Sequence, residues 1–210
     1  MFTSTWATDM NGQIVQKKYG WILVPMNLKY LTSTETSFPG NKVMQYKDEG
    51  IFEVKDPDEI FGVVDDGSRR YKGVIPDDCY HEPYMPMDEL LEEMKRMRFY
   101  GFRKDLKLLG VMAKEPIKDV TLIRHAYVSV GHQGKGIGSK LLAFIEKQVD
   151  TEWLLIGTWK AATWAIDFYK KHGYTLMDNK DDLLRKYWAI SDRQIETSIV
   201  LGKKMKKIRR

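Results

Sequence analysis

The chain has 210 residues, 43% of them hydrophobic, a net charge of +5 and one cysteine. That size and composition fit one globular domain with room for an extra segment. The lone Cys79 excludes an internal disulfide and fits a reducing cytosol, so a cytoplasmic protein is expected. The positive balance is local: six lysines and arginines after Gly202 exceed the surplus, and the rest of the chain is near −1. No run approaches the ~20 apolar residues of a transmembrane helix, so no membrane partner is expected. His81, His125, His132 and His172 show no metal-ligand spacing, and no metal is expected.

Residues 1–49 mix Thr, Ser, Asn and Gly with scattered aromatics. They are read as an appendage, either flexible or packed on the domain that spans 50–202. A short strand is expected at 51–54. Asp56-Pro57-Asp58-Glu59 then starts a helix, with Asp as cap and Pro in the first turn. It carries Ile60, Phe61, Val63 and Val64 and ends near Gly67 or Gly73. Residues 75–86 hold three prolines and read as a loop rich in groups that bind or titrate. A second helix is expected at 87–97, with Leu90, Leu91, Met94 and Met97 on one face.

Residues 99–103 and 106–113 read as a hairpin across Lys104-Asp105. Residues 120–128 read as the third long strand. Strict alternation puts Arg124, Ala126 and Val128 on one face and Ile123, His125 and Tyr127 on the other. Later strands are expected at 153–159, 174–177 and 194–201, with helices at 163–171 and 181–188. Residues 203–210 form a basic tail, read as solvated rather than as a nucleic-acid contact.

The chain is organised around the turn after the third strand, with Gly131, Gly134, Gly136 and Gly138. Glycines permit positive φ and close approach of a ligand, and free N–H groups at a helix start bind phosphate. A Walker A loop is excluded because Ile137 stands where the Lys must be. A dinucleotide fingerprint is excluded because Leu141 stands at the third glycine. What fits is Gln133-x-x-Gly136-x-Gly138, which resembles the coenzyme A pyrophosphate loop of the GNAT family of N-acetyltransferases. A second stretch, Ala165-x-x-Phe168-Tyr169 followed by a basic end, Gly173 and Tyr174, resembles that family's next signature. The resemblance covers 51–201.

The resemblance implies an α/β fold: a mixed, mostly antiparallel sheet, splayed between its fourth and fifth strands and flanked by helices. It implies acyl transfer, most often acetyl from acetyl-CoA, to a primary amine on a small molecule or a protein. The alternative is a sensor of the same fold that binds acyl-CoA without turnover. By position, Ala126, Tyr127 and Val128 would hold the pantetheine arm and the thioester oxygen. Gln133, Gly134, Lys135, Gly136, Ile137, Gly138 and Ser139 would wrap the pyrophosphate, with Phe168 and Tyr169 beside the arm. Tyr169 falls on the family's general acid. The family's common coenzyme-binding Asn is Ala162 here, and Thr158 or Thr163 offers a replacement. His125 has the intrinsic pKa of a base for the amine. His81, Glu82, Tyr84 and Arg124 are the candidates on the acceptor side. A homodimer stays open.

Overall fold

A computed structural model describes residues 5–8, 14–17 and 49–205. The chain divides into two units, Met1–Lys47 and Asp48–Arg210. In the first, β1 (Thr5–Thr8) pairs antiparallel with β2 (Ile14–Lys17). The rest of the expected appendage lies outside the described residues, as do residues 206–210 of the basic tail.

The second unit is built on a seven-stranded sheet. Its strands are β3 (Glu49–Val54), β4 (Arg98–Lys104), β5 (Lys107–Ile117), β6 (Val120–Val128), β7 (Trp153–Trp159), β8 (Thr175–Leu176) and β9 (Ser198–Lys204), in the order β3-β4-β5-β6-β7-β9-β8. Only β6 and β7 are parallel neighbours. Their ladder runs from Val120↔Trp153 to Ile123↔Ile156 and then stops, while β6 continues to Val128 and β7 to Trp159. The mostly antiparallel sheet splayed between its fourth and fifth strands is therefore the observed architecture.

Six helices flank the sheet: α1 (Pro57–Ser68), α2 (Met87–Arg96), α3 (Ile137–Glu146), α4 (Thr163–Lys171), α5 (Lys180–Tyr187) and α6 (Asp192–Thr197). Asp56 caps α1 by accepting from the Asp58 N–H at 3.0 Å and the Glu59 N–H at 3.4 Å. One core joins Leu141, Leu142 and Ile145 of α3 to Met112, Ile123 and Ile156 of the sheet. A second joins Ile60, Val64 and Leu90 of α1 and α2 to Phe99 and Val111. A third seats Leu184 and Ile195 of the α5–α6 segment on Leu122, Leu155 and Val200. Burying such side chains contributes about 1.5–3 kcal/mol each.

Several expectations need correction. The inward face of α2 is set by Leu90, Glu93, Met94 and Met97, whose spacing follows the helical period, and Leu91 is exposed. The hairpin turns on Asp105 and Leu106, both at positive φ, one residue later than expected. Residues 194–197 are helical rather than extended. Ser191 and Gln194 form a reciprocal capping box that starts α6, and the last strand begins only at Ser198. That strand runs through Lys203 and Lys204, which pair with Glu146 and Glu152, so these two lysines belong to the sheet.

Strict alternation along β6 fails at a bulge. Val111 pairs with Tyr127 and Ala113 with Arg124, so His125 and Ala126 together face Met112. His125 takes φ +47, a conformation that non-glycine residues adopt only under constraint. The extra residue turns Arg124 and His125 toward α2, where both meet Glu93. Ala126 and Val128 join Ile123 against the α3 core, and Tyr127 faces the α1–α2 core.

Candidate active site

The splay leaves two cavities that share a wall. The first, about 400 Å³, lies at the start of α3. It is floored by Ala126, Tyr127 and Val128 and closed by Trp164 and Phe168 of α4. Gly136 is the cap of α3 at φ +81 and Gly134 stands at φ +75, so the backbone curls into a shape a side chain would resist. The first N–H groups of the helix have no intrahelical acceptor. His132 Nδ1 is buried in the same wall without a hydrogen-bond partner. An anionic, acceptor-rich ligand satisfies the helix N–H groups, and His132 Nδ1 as well in the tautomer that carries its proton there.

Gln133 braces this loop. Its Nε2 donates to the Val128 carbonyl at 3.0 Å, and its Oε1 accepts from Arg70 at 3.2 Å. Arg70 also lies 4.3 Å over the Trp164 ring. The guanidinium thus links the segment after α1 to the glycine turn and to α4. Gly67, just before it, could not carry a Cβ without meeting Tyr127 Cβ at 3.0 Å and the Val128 carbonyl at 3.1 Å. That glycine lets α1 lie directly on the end of β6.

The second cavity, about 340 Å³, opens on the other side of Tyr71, Ala126, Tyr127, Ala165 and Tyr169, which line both. Tyr169 is buried at this junction. Burial, and then the nearby Tyr71, push its phenol well above the ordinary tyrosine value. It therefore holds its proton firmly. Full transfer to a thiolate of ordinary pKa near 8.5 is uphill, and hydrogen-bond donation is the chemistry it offers most readily. Tyr84 stacks on Tyr71 at 5.6 Å and accepts a hydrogen bond from Trp159 Nε1 at 3.0 Å.

A charged cluster forms one wall of the second cavity. His125 Nε2 lies 3.2 Å from Glu93 Oε2, and the carboxylate can only accept, so Nε2 carries the proton and Nδ1 the lone pair. Arg96 and Arg124 also pair with Glu93, and both pair with Glu115 at 3.2 Å. With two arginines and two carboxylates the cluster balances when His125 is neutral. Burial lowers the His125 pKa below the ordinary imidazole value, and the repulsion of Arg124 adds to it, although Glu93 and Glu89 pull the other way. Burial pushes Glu93 up, but the His125 hydrogen bond and the charges of Arg124, His125 and Arg96 more than offset it.

Residues 95–176 match the family model described as an acetyltransferase (GNAT) domain. The chain carries a GNAT acetyltransferase domain. Among curated proteins none matches the chain in sequence. Of solved structures, the PaiA N-acetyltransferase from Thermoplasma acidophilum in complex with coenzyme A is similar over 74% of this chain and 98% of its own, at 18% identity and a TM-score of 0.58. A GNAT family acetyltransferase from Elizabethkingia anophelis with acetyl-CoA bound is similar over 75% of this chain and 99% of its own, at 20% identity and a TM-score of 0.50. The ribosomal-protein-S18-alanine N-acetyltransferase from Escherichia coli is similar over 76% and 96%, at 12% identity and a TM-score of 0.54. These likenesses are of fold.

Most of the expected site residues of the GNAT domain come together. Gln133, Gly134, Gly136, Ile137, Gly138 and Ser139 line the first cavity, as do Ala126, Tyr127, Val128, Phe168 and Tyr169. Lys135 and Thr163 are not on that wall, and the Lys135 ammonium donates to the Gly131 carbonyl at 2.9 Å. His81, Tyr84, Arg124 and His125 line the second cavity. Glu82 does not: it is exposed and held by Lys72 at 2.8 Å and by the Tyr80 hydroxyl at 3.2 Å. Sequence reasoning missed Arg70, Tyr71, Trp164, Glu93 and Trp188. Tyr71 and Trp164 carried no motif, but Glu93 was legible as the one carboxylate on the Leu90–Met94–Met97 stripe.

Proposed function

We propose that the protein transfers an acyl group, acetyl in the first instance, from a coenzyme A thioester to a primary amine by direct attack. The observation that supports this reading is the meeting of two cavities at Tyr169 and Ala126, one lined by the glycine turn at the start of α3 and one by aromatic rings and His125. The thioester would lie along 126–128, where β6 has left β7. The amine would enter from the second cavity and must lose a proton to attack, since a free alkylamine has a pKa of about 10.4.

His125 Nδ1 is the acceptor for that proton, and Glu93 holds the ring in the tautomer that leaves Nδ1 free. The new C–N bond forms as the C–S bond breaks, and Tyr169 donates its hydroxyl hydrogen bond to the departing sulfur. The free Cys79 fits a reducing compartment, and a cytoplasmic setting is part of the proposal. Among the described residues no helix is long and apolar enough to cross a membrane. Release of free thiol from acetyl-CoA in the presence of a panel of amines tests the reading. Thiol release that depends on an amine, with matching acetylated product, is expected. Tight acetyl-CoA binding without any turnover across the panel would point to the sensor instead.

A further inference from the structure

The second cavity constrains its guest by both shape and charge. Tyr71 and Tyr84 stack at 5.6 Å, and Tyr84 meets Tyr127 edge-on at 6.3 Å. On the opposite wall Trp188 lies flat against β7 at Gly157, where a Cβ would sit 3.2 Å from the indole. Leu184 and Ile190 of the α5–α6 segment complete that wall, and the 75–86 loop supplies His81 and Met85. A cavity of about 340 Å³ enclosed by two such segments suits a small molecule.

Among the described residues that line it, the full charges are Glu89, Glu93 and Arg124. Arg124 is engaged twice, with Glu115 at 3.2 Å and Glu93 at 3.5 Å. Glu89 is exposed and makes no ion pair with a described residue. It stands one helical turn before Glu93 on the same face of α2, and its charge is felt at His125 and Tyr84. An entering ammonium therefore meets aromatic faces and a free carboxylate. An entering carboxylate meets two carboxylates and no unpaired cation, and loses its water without compensation.

We propose that the acceptor is a small primary amine on an aromatic or apolar body, with no carboxylate beside the amine. The proposal rests on the acyl-transfer reading above and narrows it to decarboxylated or otherwise uncharged-bodied amines. An amino acid carries the same amine next to a charge this cavity cannot pair.

The test compares 2-phenylethylamine, phenylalanine, phenylalanine amide and a short peptide with a free N-terminus, each with acetyl-CoA. The first two share ring and amine and differ by the carboxylate. The expected kcat/KM favours 2-phenylethylamine over phenylalanine by about 100-fold or more, as for an unpaired desolvated charge, and the amide recovers most of the loss. Glu89→Lys is expected to narrow the gap by about tenfold, because the new cation pairs the carboxylate. Equal rates for 2-phenylethylamine and phenylalanine would overturn the proposal and leave acyl transfer standing. A peptide outrunning 2-phenylethylamine would overturn the small-molecule assignment. No turnover with any amine, in a protein that binds acetyl-CoA, would remove the transfer reading. Thermal stabilisation by the amines then decides: a response to 2-phenylethylamine and not to phenylalanine supports the proposal, and equal responses or none overturn it.

Discussion

Two side chains carry the proposed chemistry, Tyr169 and His125, and the first is tested directly and the second through Glu93. Tyr169→Phe removes one hydroxyl from a buried ring that still packs on Phe168 and Tyr174. Loss of a positioned donor to a developing anion should lower turnover by roughly 10²-fold and leave acetyl-CoA affinity unchanged. If turnover persists, the sulfur departs without this phenol. Glu93→Gln acts through His125. Glu93 raises the imidazole pKa by its hydrogen bond and its charge, so its neutralisation should make His125 a weaker base. The acid limb of kcat/KM should move to lower pH and kcat should fall by about tenfold. A mutant with the wild-type pH profile would remove His125 as the base. The same histidine sets a stability trend. Its folded pKa lies below the unfolded 6.5, so the unfolded chain binds more protons in the window between them. Stability is fully present above 6.5 and is lost as pH falls through that window. Glu93, also depressed, adds a further loss below the ordinary glutamate value of 4.5. Melting temperature followed from pH 7 to 5 should therefore decline, and less so in His125→Phe.

At the scale of elements, the glycine turn was legible because it obeys local rules: a strand, positive-φ glycines and a helix start adjacent in sequence. Gly136→Asp tests it. The residue stands at φ +81 with open space around its missing Cβ, so the cost to the fold is backbone strain of about 1–3 kcal/mol rather than a clash. A carboxylate there would face the bound pyrophosphate, and acetyl-CoA affinity measured by calorimetry should be lost in a protein that still melts cooperatively. Retained affinity would refute the loop assignment. The bulge on β6 was not legible. Alternation is a two-residue rule, and nothing at Arg124-His125 marks the extra residue; it shows only in the ladder, where Met112 alone separates Val111 from Ala113 while His125 and Ala126 separate Arg124 from Tyr127. Helix α6 was misread for the opposite reason. Its capping box at Ser191 and Gln194 was present in the sequence, but β-branched and apolar residues at 195–200 outweighed it. The walls of the second cavity come from α2, the 75–86 loop, β6, β7 and the α5–α6 segment, and no single stretch announces such a meeting.

The whole molecule separates what the core needs from what the ends add. The order of strands and helices from Glu49 to Lys204 was legible almost throughout, because hydrophobic period and turn residues agree element by element. The charge of the end was read less well. Lys203 and Lys204 looked like part of a tail, yet their pairing with Glu146 and Glu152 belongs to the edge of the β9 ladder, where Lys204 opposes Trp153 and Lys203 opposes Leu154. At the other end, every described residue that lines either cavity lies within the unit Asp48–Arg210. Removal of residues 1–47 takes none of the described lining residues and no strand of the seven-stranded sheet. It stops just short of Glu49, whose carboxylate pairs with Lys140 of α3 at 2.7 Å and whose backbone opens the β3–β4 ladder opposite Lys104. The truncated protein should stay soluble, bind acetyl-CoA within about twofold of the full chain, and keep its kcat/KM toward the best amine of the panel, since an unchanged ΔG leaves Kd unchanged. Calorimetry and thiol release on the two forms measure both quantities. A fall in amine kcat/KM with coenzyme affinity intact would show that residues 1–47 help hold the acceptor, and loss of soluble protein would show that they complete the core.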